Sequence, residues 1–108
     1  MKWSKIKSEY ILDSKWLKVR KDTVKINDQL VIDDYYVMEN NDVVMVFPVV
    51  DEKYVMLKKE YRYPIDKITL ELPGGTFEGG KEVPLAAAKR ELLEETGLSS
   101  DDWINFGE

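Results

Sequence analysis

Three glutamates close together in the chain have the spacing that metal chemistry needs. Glu91, Glu94 and Glu95 fall at the end of residues 85–95, a stretch rich in helix formers. At about 100° per residue, their carboxylates lie on one side of a helix and apolar side chains on another. Like charges one turn apart repel, and the C-terminal end of the helix dipole also disfavours anions. A divalent cation would compensate, and oxygen ligands favour Mg²⁺ or Mn²⁺.

The same helix allows a second interpretation, a solvated acidic face partly neutralised by Lys89 and Arg90. For an arbitrary surface helix that interpretation is the commoner one. Two features favour the metal site here. A glycine-rich stretch, residues 73–80, comes directly before the helix, and the order of residues within the helix is specific.

The glycine-rich stretch also fits the start of a P-loop, because Gly75 is followed after four residues by Gly80 and Lys81. In a P-loop the next residue is a Ser or Thr whose hydroxyl contacts Mg²⁺. Here that residue is Glu82, which would place a negative charge beside the phosphates. We therefore interpret the P-loop match as a coincidence.

Composition limits the possible chemistry further. The chain has 108 residues, with no Cys and no His, and a formal net charge of −5. Disulfides, thiolate metal sites, His-ligated zinc and Ser–His catalysis are therefore excluded. The acidic balance argues against a nucleic-acid partner, which needs a dense basic face. No apolar run suits a signal peptide or a membrane span, so we expect a cytoplasmic protein with no membrane partner.

Alternation and turn residues predict the elements that position these groups. Residues 15–26 and 30–38 read as a β-hairpin, and 43–50 as a strand covered on both faces. Residues 54–58 and 68–72 read as further strands, and 103–106 as the opening of another. The helix has Pro84 in its first turn and ends at Gly97. One domain is the expectation for this length.

The segment from Glu82 to Leu98 resembles the Nudix box. The family pattern is Gly, five residues, Glu, seven residues, then Arg-Glu-apolar-x-Glu-Glu-x-Gly-apolar. Every fixed position from Glu82 onward matches, but six residues instead of five separate Gly75 from Glu82. The surplus residue falls within 78–81, where a loop can absorb it.

The resemblance implies roles for the box residues. Glu91, Glu94 and Glu95 would hold divalent cations against a pyrophosphate, and Arg90 would orient a glutamate. A main-chain carbonyl near Gly74 or Gly75 would add a ligand, because glycine lets the backbone approach closely. The cations would polarise the phosphoryl oxygens and lower the pKa of an attacking water.

Residues 59–64 (KEYRYP) and 70–75 (LELPGG) resemble the ADP-ribose pyrophosphatase branch of the family. That resemblance implies that Arg62 contacts phosphate or ribose, that Glu71 lies near substrate or metal, and that Trp16 stacks on the nucleobase. The alternatives are a surface salt bridge from Arg62 to Glu60 or Asp66, and ordinary strand packing for Trp16.

The implied fold class is α/β (α+β), a Nudix-type α/β/α sandwich with a mixed sheet, incomplete at the C-terminus. Residues 1–42 would form an N-terminal β-region that mediates dimerisation. Residues 43–108 would form the N-terminal portion of a Nudix domain, with the box at 75–98.

The expected function is divalent-metal-dependent hydrolysis of the pyrophosphate bond in a nucleoside diphosphate linked to another moiety. ADP-ribose, cut to AMP and ribose 5-phosphate, is the first candidate among nucleotide-sugar substrates, and a homodimer is the expected assembly. The alternatives are a non-catalytic nucleotide-binding module and an inactive Nudix fragment that lacks the C-terminal catalytic loop.

Overall fold

The computed structural model of the chain describes residues 2–107. Within that range the chain forms nine β-strands and one α-helix, in two compact units that divide between Asn40 and Asn41. None of the described helices is both long and apolar enough to cross a membrane.

The N-terminal unit is a three-stranded antiparallel sheet in the order β1-β2-β3. Its strands are β1 (Ser4–Asp13), β2 (Lys18–Asn27) and β3 (Leu30–Glu39). The predicted hairpin is confirmed as the pairing of β2 with β3. At its turn, the Gln29 N–H donates to the Asn27 side chain at 2.9 Å. The sequence interpretation missed β1, because all ten of its residues are exposed and no burial alternation marks it.

A polar network links the three strands of this sheet. The carboxylate of Asp22 is buried and accepts hydrogen bonds from Ser8 Oγ at 2.5 Å and Arg20 Nε at 3.0 Å. Arg20 also pairs with Glu39, whose second oxygen accepts from the Tyr10 hydroxyl at 2.8 Å. Burial of a charged group is tolerated here because it is paired and hydrogen-bonded.

The second unit consists of three short antiparallel strand pairs and the helix. The pairs are β4 (Asp42–Met45) with β9 (Gly74–Phe77), β5 (Val49–Val50) with β6 (Tyr54–Val55), and β7 (Lys58–Arg62) with β8 (Lys67–Glu71). A single 3₁₀ turn, Tyr63–Ile65, joins β7 to β8. The helix α1 spans Pro84–Thr96.

The core of this unit lies between α1 and the β4–β9 pair. Val44, Phe77 and Ala87 form the buried cluster, and Ala88 packs against it. The predicted helix is confirmed at both ends: Pro84 is its first residue, and the Gly97 N–H donates to the Leu93 carbonyl at 2.9 Å. The packing of α1 therefore fixes the helical part of the box relative to β9, the strand at the start of the box.

Two strand predictions are wrong, and a third, residues 54–58, is split between β6 and the first residue of β7. The apolar run 43–50 is not one strand covered on both faces: β4 ends at Met45, and Val44 and Val46 are buried while Val43 and Met45 are exposed. Buried and exposed residues still alternate along β4 because, among the described residues, α1 packs against only one face of that strand. Residues 103–106 form no strand in the described structure.

Candidate active site

The β7–β8 hairpin separates polar from apolar side chains onto two faces. Successive residues of a strand point to opposite faces, and the register sets Lys58 opposite Glu71 and Glu60 opposite Thr69. One face therefore carries Lys58, Glu60, Arg62, Thr69 and Glu71. The other carries the exposed Tyr61, Ile68 and Leu70. The polar face gathers two of the predicted substrate residues.

Arg62 and Glu71 form a forked ion pair across this face. Arg62 donates from Nε to Glu71 Oε1 at 2.7 Å and from Nη2 to Oε2 at 2.5 Å. The hydroxyl of Thr69 donates to Oε1 at 3.0 Å. The hydrogen bonds from Arg62, and then from Thr69, lower the pKa of Glu71 to about 2. The alternative interpretation, a salt bridge from Arg62 to Glu60 or Asp66, is therefore wrong. Arg62 pairs with Glu71 instead.

Glu95 joins the helix to this hairpin. Its Oε1 accepts from Lys58 Nζ at 2.8 Å, and its Oε2 accepts from the Gly74 N–H at 3.0 Å. Lys58 is a residue that sequence reasoning missed. Its only sequence signal is the spacing of four from Arg62, which places both residues on one face of a strand.

Arg90 gathers three glutamates around its guanidinium. Its Nε and Nη2 donate to the two oxygens of Glu82 at 3.0 and 2.9 Å. Its Nη1 donates to Glu91 Oε1 at 2.9 Å and to Glu94 Oε2 at 3.3 Å. The hydrogen bonds with Glu82 lower the pKa of that carboxyl and raise the pKa of Arg90. Arg90 therefore holds Glu82 despite the surplus residue in the loop before it.

Two adjacent glycines bring β9 close to its neighbours. A Cβ atom at Gly75 would lie 2.5 Å from Oε1 of Glu91. A Cβ atom at Gly74 would overlap the carbonyl oxygen of Val44 in β4. Gly74 is therefore needed for strand pairing and Gly75 for the position of a helix carboxylate.

A divalent cation such as Mg²⁺ requires several oxygen donors that converge on one point. Within residues 2–107, no group of three or more acidic side chains converges as a metal cluster. Glu91 and Glu94 are paired with Arg90, and Glu95 with Lys58. The donors are all carboxylates on one helix beside a glycine backbone, and oxygen donors of that kind suit Mg²⁺ or Mn²⁺. The residues fit such a cation by the chemistry of their oxygen donors, and the ligand roles of Glu91, Glu94, Glu95 and Gly75 stay predictions.

Trp16 lies in the N-terminal unit, in the turn between β1 and β2. Its side chain is 84% exposed, and Lys15 Nζ stands 4.8 Å from the ring centroid. Ordinary strand packing does not describe such a side chain. Its role as a stacking surface for a nucleobase stays a prediction.

Comparison with known proteins identifies the two parts of the chain. Residues 39–108 match a family model described as the NUDIX domain. Residues 3–38 match one described as the nucleoside diphosphate sugar hydrolase N-terminal domain.

Several curated relatives are similar to this chain in sequence. A methanol dehydrogenase activator of Bacillus methanolicus is 30% identical over 92% of this chain and 54% of its own length. An ADP-sugar pyrophosphatase of Mus musculus is 34% identical over 86% of this chain and 47% of its own. An ADP-ribose pyrophosphatase of Bacillus subtilis (strain 168) is 36% identical over 59% of this chain and 34% of its own. The chain spans about half the length, or less, of these relatives.

A solved structure described as an ADP compounds hydrolase superposes with a TM-score of 0.79 at 26% identity. The match covers 94% of this chain and 55% of that one. The predicted Nudix-type α/β fold is therefore confirmed. A match to the NUDIX domain over residues 39–108, with the box helix in place, shows that the chain belongs to the NUDIX domain family.

Proposed function

We propose that this chain belongs to an enzyme that hydrolyses the pyrophosphate bond of an ADP-sugar with the help of a divalent cation. ADP-ribose, cut to AMP and ribose 5-phosphate, is the proposed substrate. One observation carries the proposal: the Lys58–Glu95 contact of 2.8 Å joins the acidic box helix to the hairpin face that holds Arg62. The names of two relatives, an ADP-ribose pyrophosphatase and an ADP-sugar pyrophosphatase, support the substrate class.

The carboxylates of the box helix are the proposed cation ligands. Glu91, Glu94 and Glu95 would hold Mg²⁺ or Mn²⁺, with the backbone at Gly75 beside Glu91. A cation bound there supplies a Lewis acid for the phosphoryl oxygens and an acidified water. Arg90 keeps Glu82 and Glu91 in place through hydrogen bonds of 2.9–3.0 Å.

The hairpin supplies the proposed substrate contacts. Arg62 presents a planar guanidinium that can bind two oxygens of a phosphate at once. Glu71 holds that guanidinium from one side, and its pKa of about 2 keeps it ionised at neutral pH. Trp16 is the proposed stacking surface for the adenine, since its ring is exposed.

The N-terminal β-region, residues 1–42, is the proposed dimerisation element, and residues 43–108 are the proposed Nudix part of the chain. The three-stranded sheet exposes many large apolar side chains, among them Ile6, Ile11, Leu30, Val31, Tyr35 and Tyr36. Exposed apolar area on this scale is typical of a surface that a partner covers. A homodimer formed through this surface is therefore proposed. We also propose a cytoplasmic location without nucleic-acid or membrane partners, because the net charge of −5 opposes nucleic-acid binding and the sequence has no apolar run typical of a membrane span.

The test is hydrolysis of ADP-ribose in Mg²⁺, followed by chromatography for AMP and ribose 5-phosphate, with Glu95→Gln as the matched variant. We expect products from the wild type and a large loss in the variant. Products formed equally by both proteins would contradict the assignment of the box helix. Binding of ADP-ribose without hydrolysis would instead favour a nucleotide-binding module.

A further inference from the structure

Lys58 is unusually enclosed for a lysine. Its side chain is only 18% exposed, at the start of β7. Its Nζ lies 2.8 Å from Glu95 Oε1 and 3.3 Å from Glu60 Oε2. Its ammonium group forms a salt bridge with each of these two carboxylates. Lysine side chains with so little exposed surface are rare unless they are paired with an acidic group.

The carboxylate of Glu95 is held from two strands at once. Lys58 in β7 donates to one oxygen, and the Gly74 N–H in β9 donates to the other. Glu95 is 20% exposed, whereas Glu94 is 57% exposed and has a single contact with Arg90 at 3.3 Å. Of these two carboxylates, Glu95 is therefore the one whose orientation is fixed before any cation arrives.

We propose that Lys58 is a positioning residue that serves as the resident counter-ion of Glu95 and lowers the affinity of the box helix for its divalent cation. This inference rests on the proposed function, because it takes Glu95 as a cation ligand. A positive charge 2.8 Å from a ligand oxygen repels a second cation that binds the same carboxylate. Lys58 thus stabilises the site that holds no cation and weakens the binding of a cation to it.

Removal of the ammonium has two opposite consequences. A partly buried carboxylate that loses its ion-pair partner destabilises the fold. The same carboxylate, without the nearby positive charge, attracts a divalent cation more strongly. A purely structural lysine would show only the first effect, so tighter cation binding is the diagnostic result.

The experiment measures Mn²⁺ binding to the chain by the electron paramagnetic resonance signal of free Mn²⁺, without substrate. Lys58→Met keeps an unbranched side chain, one atom shorter than lysine, and removes the charge, whereas Lys58→Arg keeps the charge. Lys59→Met is the matched control, because Lys59 is exposed on the neighbouring position of the same strand. We expect Lys58→Met to lower the dissociation constant about tenfold. Lys58→Arg and Lys59→Met should bind as the wild type does.

Thermal unfolding in a chelator and in saturating Mn²⁺ completes the test. Lys58→Met should unfold at a lower temperature than the wild type in the chelator and recover in Mn²⁺. If Lys58→Met does not fold, Lys58→Gln replaces it, because the amide keeps a donor for Glu95 and carries no charge. Unchanged or weaker Mn²⁺ binding in the uncharged variants overturns the inference.

The outcomes separate this inference from the proposed function. If the wild type binds Mn²⁺ and Glu95→Gln weakens that binding, the cation site stands. In that case, only the behaviour of the Lys58 variants decides the role of Lys58. If the wild type binds no Mn²⁺, both proposals fail together.

Discussion

Gly75 lies directly against Glu91, so that a Cβ atom at position 75 would stand 2.5 Å from Oε1 of the glutamate. The atom in the way is the end of a flexible side chain, which can move without disturbing the backbone. We therefore expect Gly75→Ala to keep the Tm of the wild type but to displace Glu91. Because a misplacement of about 1 Å can cost about 10²-fold in rate, ADP-ribose hydrolysis should fall by about that factor.

Gly74→Ala is the matched comparison. Its Cβ would overlap the carbonyl oxygen of Val44, which belongs to the backbone of β4 and cannot move without disturbing the β4–β9 pairing. We expect this variant to lose about 1–3 kcal/mol of unfolding free energy in urea denaturation. Equal losses of stability at both positions would contradict the distinction between a structural glycine and a site glycine.

Glu71 should make the stability of the chain depend on pH. Its pKa is lowered from 4.5 to about 2, mainly by the hydrogen bond from Arg62. A carboxyl whose pKa is lower in the folded state stabilises the fold above its unfolded pKa, and that contribution is lost as the pH falls through the folded value. Between about pH 4.5 and 2 the wild type should therefore lose stability that Glu71→Gln cannot lose.

Urea denaturation of both proteins at several pH values checks this prediction. The gap in unfolding free energy between the wild type and Glu71→Gln should be largest near pH 6 and should narrow as the pH falls toward about 3. A gap that stays constant over this range would show that Arg62 does not stabilise the ionised form of Glu71.

Asp22 should be the most sensitive carboxylate of the N-terminal sheet. It is 4% exposed and accepts hydrogen bonds from Ser8 and Arg20. Asp22→Asn replaces a charged acceptor with an amide and weakens the pairing with Arg20, so we expect the Tm to fall by roughly 4–8 °C. Asp33→Asn, at an exposed position of β3, is the control and should leave the Tm unchanged. Differential scanning calorimetry of the wild type and both variants measures these changes in Tm.

Trp16 should contribute to nucleotide affinity but not to stability, because its side chain is 84% exposed. If it stacks on adenine, Trp16→Ala should weaken ADP-ribose binding by about 5- to 150-fold, the equivalent of about 1–3 kcal/mol. Trp16→Phe should retain most of that affinity. Isothermal titration with ribose 5-phosphate, which has no base, provides the control: all three proteins should bind it alike. A parallel loss for both ligands would contradict stacking.

The sequence predicted the features that depend on neighbours in the chain. The helix and its ends were predictable because helix formers, Pro84 and Gly97 mark them locally. The β2–β3 hairpin was predictable from two alternating runs around an Asn-Asp-Gln turn. Strand β1 was not, because none of its residues is buried and its side chains carry no periodic signal.

The contacts of the candidate site could not be predicted from the sequence, because they depend on the strand register and on the packing of distant segments. Arg62 finds Glu71 only because β7 and β8 pair in one register out of several that the sequence allows. Lys58 finds Glu95, 37 residues away, only because the fold brings the C-terminal end of α1 near the start of β7. Several oppositely charged residues could have paired with each of these side chains, and the folded geometry determines which of them does.

The surplus residue in the loop before α1 has a consequence for how relatives of this chain are recognised. Glu82 reaches Arg90 across eight positions of sequence although six residues, and not five, separate it from Gly75. A search that demands fixed spacing would pass over this chain, whereas one that asks for the guanidinium–carboxylate pairing would retain it. The surplus residue in this loop therefore leaves the pairing of Arg90 with Glu82 in place.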